Sequence, residues 1–171
     1  NCYQGHPVHC PQTPAPPFRP LLGKPPPRRP AWVRGGAAAP RLSGLVKFYD
    51  TIYGGVLIET EIFGLPNISS QGSSDFYALH IHETGDCSHQ FTKTGNHYNP
   101  AGLPHPQHAG DLLPLLGNQG YAWGAFYDKR FQIKDILGRS VVIHRNRDDF
   151  TSQPAGDAGE KIGCGVIVGN P

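Results

Sequence analysis

The stretch "FYALHIHETGDC", residues 76–87, is an apolar strand interrupted by two histidines, His80 and His82, with a single isoleucine between them and Cys87 close behind. Successive side chains of a strand point to opposite faces. His80 and His82 therefore present two imidazoles together, while Ile81 turns to the other side. Such a pair is either half of a metal site or two exposed or core-satisfied histidines. The stretch alone leaves both readings open.

The surrounding sequence is built from similar pieces. "RLSGLVKFYD" places Leu42, Gly44, Val46 and Phe48 on one face, and "GVLIETEIFGLP" does the same with Val56, Ile58, Thr60 and Ile62 before Gly64 and Pro66 stop it. "AWVRGG", "DFYALHIHE", "YAWGAFYD", "RSVVIH" and "CGVIVG" read as further strands. Among 171 residues, 22 glycines and 18 prolines argue against long helices. They suit short strands joined by turns. The expected fold is all-β: a Greek-key, eight-stranded flattened barrel or sandwich of the immunoglobulin-like kind, with two long loops at residues 88–111 and 145–161. Loops longer than about 12–15 residues in a compact domain are usually functional, and both of these adjoin histidines.

Residues 1–30 form a separate segment. "TPAPPFRPLLGKPPPRRP" contains Arg19, Lys24, Arg28 and Arg29 but no acid, and reads as an extended, polyproline-like arm ahead of a domain at 31–171. The net charge of +2 is too small to imply nucleic acid. No apolar run approaches the roughly 18 residues of a membrane span. The first residues lack the basic and apolar regions of a signal peptide, although a chain starting at Asn1 is compatible with prior processing. Cys2, Cys10, Cys87 and Cys164 could form two disulfides in any of three pairings. Two disulfides lean toward an oxidising, extracytoplasmic compartment.

The loop after the His-x-His strand favours the metal reading. "GNHYNPAGLPHPQHAGD" supplies His97, His105, His108 and Asp111, three imidazoles and a carboxylate of the kind a tetrahedral zinc site accepts. His144 ends the "SVVIH" strand and adds another nitrogen. These seven residues together point to a two-metal site.

The motifs "HIHETGDC", "GNHYNP", "HAGD", "VVIHRNRDD" and "GDAGEKIGCGVI" strongly resemble copper/zinc superoxide dismutase, in order and local spacing, over residues 31–168. The resemblance implies copper at His80, His82, His97 and His144, and zinc at His97, His105, His108 and Asp111. His97 would bridge the two metals. It implies conversion of superoxide to O2 and H2O2 by copper redox cycling, with the bridging histidine supported by zinc and supplying a proton. Asp148 would accept hydrogen bonds from His80 and His105, one ligand of each metal. Cys87 and Cys164 would form the intrasubunit disulfide, and the protein would be a homodimer.

The chain also departs from that family's pattern. Lys161 stands where an arginine usually lies near copper; it keeps a steering charge but loses the planar fork. Glu160 beside it would partly oppose the field. Ala155 replaces a threonine that narrows the copper channel. The His105–His108 interval and the loop at 145–160 are both short, and His89 has no family role. "NCYQGHPVHC" lies outside the resemblance: Cys2, His6, His9 and Cys10 form either a small metal site or a Cys2–Cys10 disulfide with ordinary histidines. The rival to an enzyme is a non-catalytic structural, copper-delivery or metal-binding relative.

Overall fold

The computed structural model describes residues 29–66 and 76–169. Most of the Pro-rich arm, with the Cys2, His6, His9 and Cys10 cluster, lies outside the described residues. Among the described residues nine strands follow one another: β1 (Arg29–Gly35), β2 (Ser43–Asp50), β3 (Val56–Phe63), β4 (Phe76–Tyr77), β5 (Leu79–His82), β6 (Leu115–Leu116), β7 (Ala122–Asp128), β8 (Ser140–His144) and β9 (Lys161–Val166). The segment read as one strand, "DFYALHIHE", is interrupted at Ala78, so β4 and β5 together account for one of the eight expected strands. A 3-10 segment (His89–Thr94) and a one-turn helix, α1 (Ile133–Ile136), complete the elements.

Seven strands form one antiparallel sheet in the order β5-β8-β9-β1-β2-β3-β7, curled into a half-barrel, and β4 pairs with β6 apart from it. The last strand lies beside the first, a non-local closure that sequence neighbours cannot supply. β2 and β3 form because their alternation matches the pleat. Val46 faces Thr60 and Phe48 faces Ile58 across the ladder, and Val46, Phe48, Ile58 and Ile62 are all fully buried. Burying each such side chain contributes about 1.5–3 kcal/mol.

β5 departs from simple alternation, because all four of its residues are buried. Leu79 and Ile81 enter the main apolar core. His80 and His82 occupy the opposite face. β8 pairs along one edge of β5, from Leu79 opposite Ile143 to His82 opposite Ser140. The other edge is covered by the loop that follows: Tyr98 N–H donates to the Ile81 carbonyl and Ile81 N–H to the Gly110 carbonyl, each at 2.8 Å. Isolated bridges place His82 opposite His97 and His80 opposite Asp111. Backbone pairing thus brings distant histidines to the same end of the sheet.

Cys87 and Cys164 are joined by a disulfide that closes a span of 77 residues. It ties the segment after β5 to β9 and packs with Phe91 and Val142 in a second small apolar cluster. A bridge over a loop of this length restricts the unfolded chain strongly. Replacing both cysteines with serine is expected to lower stability by about 2–4 kcal/mol, measured by reversible urea unfolding of the metal-free protein.

Candidate metal centre

Two groups of ligand atoms gather at the end of β5. His80, His82, His97 and His144 form one; His97, His105, His108 and Asp111 form the other. Within each group the ligand atoms lie within 4.8 Å of one another, and every residue is buried. His97 belongs to both. β5 contributes His80 and His82, β8 contributes His144, and the 97–111 loop contributes the rest.

Hydrogen bonding selects the ring nitrogen that each histidine can offer. His80 directs Nε2 to Asp148 Oδ2 at 2.7 Å, and His105 directs Nε2 to Asp148 Oδ1 at 2.8 Å. His82 places Nδ1 2.9 Å from the Gly95 carbonyl, and His144 places Nδ1 3.1 Å from that of Gly159. Each contact satisfies one N–H and leaves the second nitrogen with a lone pair. Among the described residues, His80 Nδ1, His97 Nε2 and His105 Nδ1 are buried with no hydrogen-bond partner. His105 Nδ1 does lie 3.0 Å from Asp111 Oδ2, but without hydrogen-bond alignment. His82 Nε2 and His144 Nε2 approach to 3.2 Å. When both Nδ1 atoms carry the protons, that contact sets two acceptors face to face. Unpaired buried acceptors are costly, and a cation between them resolves the cost.

The second group is built around a carboxylate. His97 Nδ1, His105 Nδ1 and His108 Nδ1 lie 2.7, 3.0 and 3.2 Å from Asp111 oxygens. The short His105–His108 interval therefore still lets the ring nitrogens converge. It does so through a tight turn in which Asp111 N–H donates to the His108 carbonyl and His108 N–H to Asp111 Oδ2. The donor sets suit copper and zinc: imidazole serves both metals, and zinc also takes carboxylate.

Burial keeps the imidazoles of His80, His82 and His144 uncharged and available. It pushes His80 down to about 4, His82 to about 2 and His144 to about 3, with neighbouring histidines adding to the effect. Burial pushes the Asp148 carboxyl up. Hydrogen bonds from His80, the Phe150 N–H and His105 outweigh it, so Asp148 ends below the usual carboxylate range. Asp111 shows the same balance: burial raises it, while His97, His105 and His108 bring it down. Both carboxylates are therefore held in the ionised form.

A cleft of about 470 Å³ opens over the first group, with His82, His97, His144 and Lys161 in its lining and Pro154 and Ala155 on one wall. Lys161 Nζ donates to Thr94 Oγ1 at 2.8 Å and to the Gly95 carbonyl at 3.3 Å, which fixes the ammonium beside the cleft. Burial lowers its pKa. Glu160 points elsewhere and pairs with Arg145 at 3.1 Å on an exposed surface. Asp149 accepts from the Thr151 and Ser152 N–H groups and so shapes its own loop. His89 is exposed and contacts Ser88.

Three supporting residues carry little or no signature in the sequence. Gln153 pairs its side-chain amide with the backbone of His105, accepting from its N–H at 3.0 Å and donating to its carbonyl at 2.7 Å. Arg130 reaches the carbonyls of His108 and Asp111. Gly156, at φ +67°, packs directly against Asp148 Oδ1 and His105 Nε2, where a Cβ would collide. Only the "GDAGEK" motif hinted at the last of these.

Residues 42–167 match the model of the copper/zinc superoxide dismutase family. The extracellular copper–zinc superoxide dismutase of Rattus norvegicus is 34% identical over 137 residues, covering 75% of this chain and 55% of that protein. Copper–zinc superoxide dismutase 3 of Arabidopsis thaliana is 34% identical, covering 72% of this chain and 81% of that protein. The human copper chaperone for superoxide dismutase is 32% identical, covering 74% and 48%. The chain thus spans about half the length of several curated relatives that it matches. Among solved structures, the clock protein EA4 superposes with a TM-score of 0.70 at 29% identity, over 84% of this chain and 94% of that one. A superoxide dismutase-like protein from Bacillus subtilis gives 0.69 at 25% identity, over 82% and 98%.

Gly156→Ala is expected to displace Asp148 and weaken zinc binding about 10- to 100-fold, as loss of a histidine's outer hydrogen-bond partner does. Gly102→Ala is the control. Gly102 also has positive φ, at +62°, but faces open space. It should cost stability without changing zinc affinity in a chelator-competition titration.

Proposed function

Because the chain belongs to the copper/zinc superoxide dismutase family, we propose that it is itself a superoxide dismutase, converting superoxide to O2 and H2O2. In this reading His80, His82, His97 and His144 hold copper, and His97, His105, His108 and Asp111 hold zinc. Copper held there would supply a one-electron redox couple for the disproportionation of two superoxide ions, whereas zinc would contribute no redox change. The observation that carries the reading is the convergence of all four first-group imidazoles beneath an open cleft that also bears a cation.

The chain's own residues have distinct tasks. Lys161 attracts the anion into the cleft, since a fixed charge raises association rates. Its N–H groups are engaged by Thr94, Gly95 and Phe91, so it acts chiefly through charge and leaves the anion less tightly oriented than a guanidinium fork would. His97 manages the proton. Its Nδ1 faces Asp111, while Nε2 lies buried without a partner beside the first group. Nε2 can hold a proton and pass it to reduced superoxide; a second proton from solvent completes H2O2. Asp148 holds His80 and His105 in orientation through their Nε2 atoms. Ala155 on the wall leaves the channel without a threonine side chain.

The relationship to a copper chaperone favours one other reading, a copper-delivery module without turnover. A dismutase assay on the copper-loaded chain separates the two: copper bound at His80, His82 and His144 without dismutation would sink the enzymatic reading. His144→Ala should reduce dismutation to background while zinc remains bound, measured by assay and metal content together. Lys161→Ala should lower kcat/KM about 10-fold and flatten its dependence on ionic strength, whereas Lys161→Arg should preserve or raise the rate.

A further inference from the structure

We propose that Arg130 is a positioning residue for the zinc group, holding the 108–111 turn in its ligand geometry through two backbone carbonyls. The inference rests on the reading of His105, His108 and Asp111 as zinc ligands. His108 and Asp111 belong to one tight turn, and both direct their side chains into the group. Only two residues, Pro106 and Gln107, separate His105 from His108, so the loop has little length of its own with which to fix these groups.

Arg130 supplies the missing constraint from outside the loop. It follows β7, whose last residue, Asp128, is paired in register with Val56 of β3. The Asp128 carboxylate accepts from Arg130 Nε at 3.1 Å and from Nη2 at 2.6 Å, and also from the Arg130 backbone N–H at 2.8 Å. With the guanidinium oriented in this way, Nη1 donates to the His108 carbonyl at 2.9 Å and Nη2 donates to the Asp111 carbonyl. One planar group therefore bridges the framework sheet to both ends of the turn.

The ion pair itself contributes little, because the Arg130 side chain is 40% exposed. The effect comes from the fixed fork. A guanidinium presents donors along several directions in one plane, whereas a lysine ammonium presents a compact point charge on a flexible stem. Arg130 and Gln153 then act on opposite ends of the same short loop, Gln153 holding the His105 backbone.

The test uses the full chain with Arg130→Ala and Arg130→Lys. Zinc affinity is measured by competition with a chromophoric chelator, and amide hydrogen exchange is followed in the metal-free protein. Both variants should weaken zinc binding about 10- to 100-fold. Faster exchange should be confined to the 108–111 turn. Recovery of wild-type affinity by Arg130→Lys would overturn the fork and leave only a charge effect. Unchanged zinc affinity in Arg130→Ala, or in both folded variants, or a uniform rise in exchange across the sheet, would overturn the positioning role. Should Arg130→Ala not fold, Arg130→Lys still decides between fork and charge. A wild-type chain that binds no zinc would overturn the zinc assignment itself and this inference with it. Zinc binding by wild type with equal binding by the variants would overturn the clamp alone.

Discussion

One buried carboxylate connects the two halves of the centre. Asp148 is 4% exposed and accepts Nε2 of His80 with one oxygen and Nε2 of His105 with the other. An isolated carboxylate at such a position would be expensive. Here it is repaid by two imidazole N–H donors and the Phe150 N–H. The same contacts turn Nδ1 of both rings away from Asp148 and leave it unpartnered among the described residues. Satisfaction of one buried charge thus creates the next requirement, a cation in each group. Metal binding and polar satisfaction are two sides of one balance.

The arrangement depends on β5 being buried on both faces. Leu79 and Ile81 anchor it in the apolar core, so its register cannot slip by one residue without exchanging core and metal residues. That register fixes His80 and His82, and through the bridges to Asp111 and His97 it fixes the loop as well. The Cys87–Cys164 bond adds a covalent hold where the chain leaves β5. The rigid sheet therefore supplies precision that a 97–111 loop, rich in Gly and Pro, would lack by itself.

Much of this was legible in the sequence because it was written in side-chain type and period. The alternation of Val46, Phe48, Ile58 and Ile62 specified strands with one buried face, and those residues form the core. The residues nominated around His80 and His82 come together in space, including His105 and His108 despite their short separation. The break at Ala78 was not legible. Its N–H donates to the Asn146 carbonyl and its carbonyl accepts from His144, so tertiary backbone pairing interrupts an apolar run whose pattern shows no interruption. Arg130 and Gln153 escaped for a related reason: they act on carbonyls and N–H groups, which every residue carries. Gly156 was visible as a motif letter, but the need for its missing Cβ depends on Asp148 and His105 arriving beside it.

Family membership and catalysis make different physical demands. The seven candidate ligand side chains and Asp148 are all buried, and a site that only stored or delivered metal could use the same polar balance. Turnover further requires a route by which a small anion reaches one group, a charge that favours its entry, and a nitrogen able to exchange a proton there. In the proposed enzymatic reading, the cleft beside His82, His97 and His144, the tethered ammonium of Lys161 and the unpartnered His97 Nε2 would answer those demands in turn. The second group has fewer such features. His97 and His108 also line the cleft, but His105 and Asp111 lie away from it, and their surroundings are fixed by Gln153, Arg130 and Gly156. This asymmetry places access chiefly on the side of the first group and enclosure on the side of His105 and Asp111. Substitutions around the second group should therefore reach the first through two links: His97, the one ring the groups share, and Asp148, which holds His80 as well as His105.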